Sequence, residues 1–227
     1  MLYDEVAVKA NIRNREGKRV FILGKNDRLT PSARDFLSRE RIEICSAEEA
    51  RPQRYMLLGG GFVEEKPEHM THLNGDVLVP KNHPRIRFRG AIDTLEGELL
   101  WCQAAFPETQ KPLAEILCLA RRLIRCDVLE EPVQDFTLCG LTEEEQRKHS
   151  HFPQDHYGQP HFMPEASDGQ KLLALNRCRC AARAAELLAV EAFIDKDGSP
   201  TRADILKALN RMSSMLYILM IREKAKK

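Results

Sequence analysis

The 227 residues carry 43% apolar and 30% charged side chains, an ordinary globular balance, long enough for one bundle plus a small appendage. With 35 basic and 34 acidic side chains the net charge is +1, so the basic excess of a nucleic-acid or membrane-surface protein is missing. No run approaches the ~18 uninterrupted apolar residues of a membrane span, and Met1-Leu-Tyr-Asp-Glu5 lacks a leader pattern, so a cytoplasmic protein is expected.

Residues 1–50 read as a small α/β appendage. Lys18–Leu23 reads as a strand, and Thr30-Pro31 as an N-cap followed by proline at the first helical position. That helix continues through Ser38, and Arg41–Cys45 alternates like a second strand. Residues 51–85 read as loop, broken by Gly59-Gly-Gly61, Asn74-Gly75 and prolines 67, 80 and 84. The glycine run lacks the following Lys-Ser/Thr of a phosphate-cradling P-loop.

From Arg85 the pattern turns helical, with Phe88, Ile92, Leu95, Leu99, Cys102 and Phe106 recurring at +4 and +3 steps. A second helix opens at Pro112, and Thr142-Glu-Glu-Glu145 predicts a capping box before a short polar helix. His149–Gly169, rich in histidine and proline, reads as irregular. Its histidines 149, 151, 156 and 161 follow no helical ligand spacing, and none of the seven cysteines forms a CxxC pair, so neither zinc nor disulfides are expected. Two long helices follow, over about 171–194 and 203–222, with Thr201–Asp204 as the cap of the last. The fold expected is mainly α: an antiparallel four- or five-helix bundle over 86–227 carrying the small N-terminal α/β appendage.

The last two helices hold chemistry beside their apolar seams. Arg179, Arg183 and Glu186 share one face of the first. On the second, Ile205, Leu209, Met212, Leu216 and Leu219 form the core stripe, leaving Asn210, Ser213, Ser214 and Tyr217 off it. Cations and polar groups at such a packing edge suit an anion with a polar organic head, such as a nucleotide. A solvated face of ordinary helix pairs is the plainer reading of the same residues.

Three blocks carry a resemblance that spans most of the chain. The first is Lys66-Pro-Glu-His-Met-Thr-His-Leu-Asn-Gly75 with Val79-Pro-Lys81, Pro84-Arg85 and Arg89-Gly-Ala-Ile-Asp93. The second is Met163-Pro-Glu-Ala-Ser-Asp-Gly169 leading to Arg179-x-x-x-Arg183-x-x-Glu186; the third is Leu209-Asn-Arg-Met-Ser213. With Leu29-Thr-Pro-Ser-Ala-Arg34 they resemble the ATP:cob(I)alamin adenosyltransferases of the ethanolamine-utilisation type, relatives of the wider propanediol-utilisation type. Such enzymes often carry a His/Cys metal motif upstream of the phosphate loop. Here Tyr55–Gly61 holds neither residue, so no metal bound by protein side chains is expected.

The resemblance implies transfer of the 5′-deoxyadenosyl group of ATP to the cobalt of a reduced corrinoid, for ethanolamine ammonia-lyase. ATP would be held by Lys66, Thr71, His72, Lys81, Arg179, Arg183, Glu186, Asn210 and Ser213, with Mg²⁺ bridging phosphates. Glu186 would orient an arginine. Cobalamin would meet Phe162, His161 and Met163, Phe162 acting as an apolar wedge on the lower face of the corrin. Arg183 and Phe162 are thus the residues expected to carry catalysis. A flavoprotein-type reductant, a homotrimer with sites between subunits, and association with a bacterial microcompartment are further implications. Two other classes fit the same sequence: a corrinoid carrier without turnover, and a microcompartment interaction module built on residues 1–50.

Overall fold

The computed structural model describes residues 1–15, 18–46 and 54–226. The chain divides into two units, Met1–Lys66 and Pro67–Lys227. The expected loop's first residues, 51–53, lie outside the described residues.

The first unit opens with β1 (Leu2–Tyr3) and α1 (Glu5–Ala10), whose first turn is capped by the Asp4 carboxylate accepting from the Ala7 N–H at 2.8 Å. β2 (Ile12–Arg15) pairs antiparallel with β3 (Lys18–Leu23). β4 (Arg28–Leu29) pairs with β1, then α2 (Pro31–Arg39) starts at a Thr30 cap with proline in its first turn. β5 (Glu43–Ser46) returns parallel to β3, completing the β-α-β pattern read from the sequence. Val8, Phe21, Leu29, Ala33, Phe36, Leu37 and Ile42 form the small core. β6 (Tyr55–Leu57) and β7 (Phe62–Val63) make a hairpin where a loop was expected. Its turn runs through Gly60 and Gly61 at φ +98° and +88°, a backbone that side chains with a Cβ rarely adopt.

The second unit begins with another hairpin the sequence reading missed, β8 (Met70–Asn74) and β9 (Val77–Pro80). Only Leu73, Leu78 and Val79 are buried there, too few to stand out among the prolines and glycine. α3 (Pro84–Ala105) and α4 (Gln110–Val128) follow, opened respectively by Pro84 and by a 3₁₀ turn at Pro107–Thr109. A short ribbon, β10 (Thr137–Leu138) and β11 (Leu141–Thr142), leads into α5 (Glu143–His151) with its capping box complete. α6 (Pro153–Tyr157) is a single turn or so of helix inside the stretch read as irregular. α7 (Gln170–Phe193) and α8 (Ala203–Lys224) are the two long helices.

The bundle is antiparallel, as cross-helix pairs show. Arg87 meets Glu191 and Arg177 meets Glu98 between α3 and α7; Arg121 meets Glu96 between α4 and α3. Phe88 and Phe193 pack edge to face at 5.4 Å, and Ala182, Ala185 and Ala189 are fully buried along α7. Small side chains there let neighbouring helices approach closely, while burying each large apolar side chain contributes roughly 1.5–3 kcal/mol. α8 starts without the expected Thr201 cap: that hydroxyl donates to the Phe193 carbonyl at 3.0 Å, tying down the α7–α8 turn instead. No helix among the described residues is long and apolar enough to cross a membrane.

Candidate nucleotide and corrinoid cleft

A cleft of about 890 Å³ opens between α7 and α8. Asn176, Arg179, Cys180 and Arg183 line it from α7, and Asn210, Ser213, Ser214 and Tyr217 from α8. Each set follows i, i+3, i+4, i+7, one face of its helix. Antiparallel register then places the two faces in order: Glu186 accepts a hydrogen bond from Asn210 at 3.0 Å, and two turns along Arg179 lies over the Tyr217 ring at 5.3 Å. Glu186 therefore orients Asn210, whose Oδ1 in turn accepts from Arg211 at 3.1 Å. His161–Pro164 closes one end, and Ser150 and His151 enter from α5.

Charge in the cleft is one-sided. Several arginines of this unit are committed to carboxylates: Arg85 and Arg89 to Asp127, Arg87 to Glu191, Arg121 to Glu96, Arg177 to Glu98, Arg202 to Asp204. Arg179 and Arg183 have no carboxylate partner among the described residues, and no carboxylate lines the cleft. Two guanidinium groups held beside a concave surface without counter-ions are ready for a polyanion.

The closing segment is tied to α8. The Tyr217 hydroxyl accepts from the Phe162 backbone N–H at 3.3 Å and is 3.1 Å from His161 Nδ1. Tyr217 also stacks on both rings, with centroids at 5.8 Å to His161 and 6.0 Å to Phe162. Behind the segment, buried Asp168 accepts from the Glu165 N–H at 2.9 Å and pairs with Lys224, whose ammonium lies 5.4 Å from the Phe162 ring centroid. Phe162 is half-buried and Met163 is 84% exposed, so an apolar edge projects from a segment anchored at both ends. Nearby, the His149 ring stacks on His156 at 3.7 Å; burial, then the neighbouring His156, hold His149 below its ordinary value.

The cleft thus gathers Phe162, His161, Met163, Arg179, Arg183, Asn210 and Ser213, with Glu186 one bond behind. It does not gather Thr71, His72 or Lys81. Thr71 and His72 lie on β8, and Lys81 follows β9. Arg89 holds β8 by donating to the Leu73 carbonyl at 2.7 Å and to buried Asp127 at 2.7 Å; Arg85 donates to the same carboxylate at 2.8 Å. This clamp sits at the start of α3, level with Glu191 of α7. Arg179 lies twelve residues back along that helix, roughly 18 Å at 1.5 Å per residue. Lys66 belongs to the first unit and is exposed.

Eight of the fifteen lining residues were absent from the expected ligand-binding set, among them Asn176, Cys180, Ser150 and His151. Asn176 and Cys180 share the Arg179 face of α7 and were legible from the 3.6-residue period; Cys180 lines the cleft whereas Cys178 is buried. Ser150 and His151 reach the cleft only through packing of α5. Among the described residues no three His, Cys, Asp or Glu side chains converge as a metal cage.

The fold and cleft define a helical-bundle protein that presents uncompensated cations beside an apolar, aromatic rim. The profile of the cobalamin adenosyltransferase family matches residues 62–223, and the chain belongs to that family. It is 33% identical to the corrinoid adenosyltransferase EutT of Salmonella typhimurium strain LT2, covering 98% of this chain and 92% of that protein. Against the protein of the same name from Escherichia coli K12 the identity is 32%, over 96% of this chain and 90% of the relative.

Proposed function

We propose that this protein is an ATP:corrinoid adenosyltransferase of ethanolamine utilisation, and that the α7–α8 cleft is where its two substrates meet. The observation carrying the reading is the pair Arg179 and Arg183, unpaired with any carboxylate among the described residues, facing Phe162 across one cleft.

In the reaction, the cobalt(I) electron pair forms the Co–C5′ bond while the C5′–O5′ bond breaks and triphosphate leaves with those electrons. The corrinoid supplies the nucleophile; the protein supplies position and field. Arg179 and Arg183 bind and neutralise the roughly four negative charges of ATP through charge-assisted hydrogen bonds, and stabilise the leaving group. A divalent cation such as Mg²⁺, brought in with ATP, would add charge neutralisation at the triphosphate. Asn210, aligned by Glu186, and Ser213 fix the adenosine so that C5′ faces the metal in line. Phe162 and Met163 present an apolar surface to the lower corrin face, excluding water and the intramolecular base. Without an axial donor, cobalt(II) accepts an electron more readily, and each ~59 mV gained shifts that equilibrium about tenfold.

Thr71, His72 and Lys81 serve the triphosphate from a second copy of the chain. The roughly 18 Å of α7 between Glu191, level with the clamp that holds β8, and Arg179 supports this. A homotrimer is the assembly this implies; a flavoprotein-type donor would deliver the electron.

The deciding experiment mixes the purified protein with ATP, Mg²⁺ and chemically reduced cobalamin. A light-sensitive organocobalt product is expected. A carrier would bind corrinoid and yield none.

A further inference from the structure

The imidazole of His161 lies beside the proposed wedge, and a free imidazole nitrogen is a good axial donor to cobalt. A site that must strip axial ligands therefore needs that nitrogen silenced. His161 Nε2 lies 3.1 Å from the His151 carbonyl, and a carbonyl only accepts, so Nε2 carries the proton. The neutral ring then has its lone pair on Nδ1, 3.1 Å from the Tyr217 hydroxyl. That hydroxyl already accepts from the Phe162 N–H and so donates to Nδ1. The chain Phe162 N–H to Tyr217 O–H to His161 Nδ1, with Nε2–H to His151, leaves neither ring nitrogen open.

We propose that Tyr217 is a positioning residue that sequesters the His161 lone pair, keeping an otherwise competent ligand off the cobalt while holding Phe162 in place. The inference rests on the reading that the corrinoid approaches Phe162. Its ring face serves Arg179 separately, so removing only the hydroxyl divides the two roles.

The test uses the full-length protein with ATP, Mg²⁺ and cob(II)inamide, a corrinoid with no nucleotide base, read by electron paramagnetic resonance. Bound to the wild type, its cobalt signal should change and show no nitrogen splitting. Tyr217→Phe should introduce the triplet splitting of a single nitrogen, and lose about 10–100-fold in adenosylation rate from cobalt(II), as removal of a ligand-orienting hydrogen bond does. KM for ATP should stay within about twofold, because the ring beneath Arg179 remains. Tyr217→Phe combined with His161→Leu should abolish the splitting. No splitting in Tyr217→Phe overturns this inference whatever its rate, as does splitting that survives the His161→Leu change. A wild-type signal identical to free cob(II)inamide overturns the underlying corrinoid placement, and this inference with it.

Discussion

Arg183 and Phe162 line the same cleft, and the proposed roles put them on different halves of one reaction, so their removal should separate cleanly. Arg183→Ala deletes a charge-assisted contact to phosphate worth roughly 1.5–3 kcal/mol, about 10–150-fold in ATP affinity, with little effect on cobalt(II) reduction. Phe162→Ala should leave ATP affinity intact and slow adenosylation only when the reaction starts from cobalt(II). Titration calorimetry with ATP and parallel assays from cobalt(I) and cobalt(II) read the two effects. Equal loss of both in either variant would indicate misfolding. At this scale the period of the sequence was enough to put Arg179 and Arg183 on one face. It said nothing of Tyr217 holding His161, because those residues meet across 56 positions of chain.

Asp127 governs how three elements assemble: fully buried on α4, it accepts from Arg85 and Arg89 of α3, and Arg89 reaches on to the β8 backbone. Asp127→Asn strands two partly buried guanidinium groups, so it should cost about 3–5 kcal/mol, seen as a lower midpoint in urea unfolding. In folded protein kept below that midpoint, KM for ATP should also rise, since β8 carries Thr71 and His72. Sequence reading identified α3, α7 and α8 within a residue or two because each repeats its apolar stripe over five or more turns. The β6–β7 and β8–β9 hairpins escaped it because their strands are only two to five residues long and interrupted by turn formers. Thr201 looked like a helix cap by type, but its hydroxyl accepts from no first-turn N–H and instead donates to the Phe193 carbonyl, a neighbour only after α7 and α8 fold back.

Across the whole molecule, the distance between the β8 clamp and Arg179 makes subunit complementation the sharpest test of assembly. At ATP concentrations far below the weakened affinities, Arg183→Ala and Lys81→Ala should each show little activity alone. Refolded together they should regain activity, because mixed oligomers contain some sites with both residues; unrestored activity would argue for a complete site within one chain. Acid stability belongs here too. Burial alone would raise the Asp204 carboxyl, but hydrogen bonds from Arg202 and the Val133 N–H hold it at about 2, below the ordinary 3.8. Its stabilisation is fully present above pH 3.8 and is lost as the pH falls toward 2. His149, held below its ordinary value by burial and His156, resists protonation when folded, so stability should already decline as the pH drops below about 6.5. Thermal unfolding at stepped pH should show both losses, and His149→Phe should remove the upper one.

What the amino-acid order determined unaided was periodic: which stretches are long helices, which faces they bury, and which charged side chains share a face, since a helix brings residues three and four apart together without outside help. The blocks that tie the chain to the adenosyltransferases were legible for the same reason, being runs of adjacent residues. Tertiary structure alone decided which faces oppose each other, that Glu186 serves Asn210, that α5 supplies Ser150 and His151 to the cleft, and that Thr71 and Lys81 are not among the residues lining it. These facts depend on helix register and loop path, which many weak packing contacts set together and no local pattern encodes.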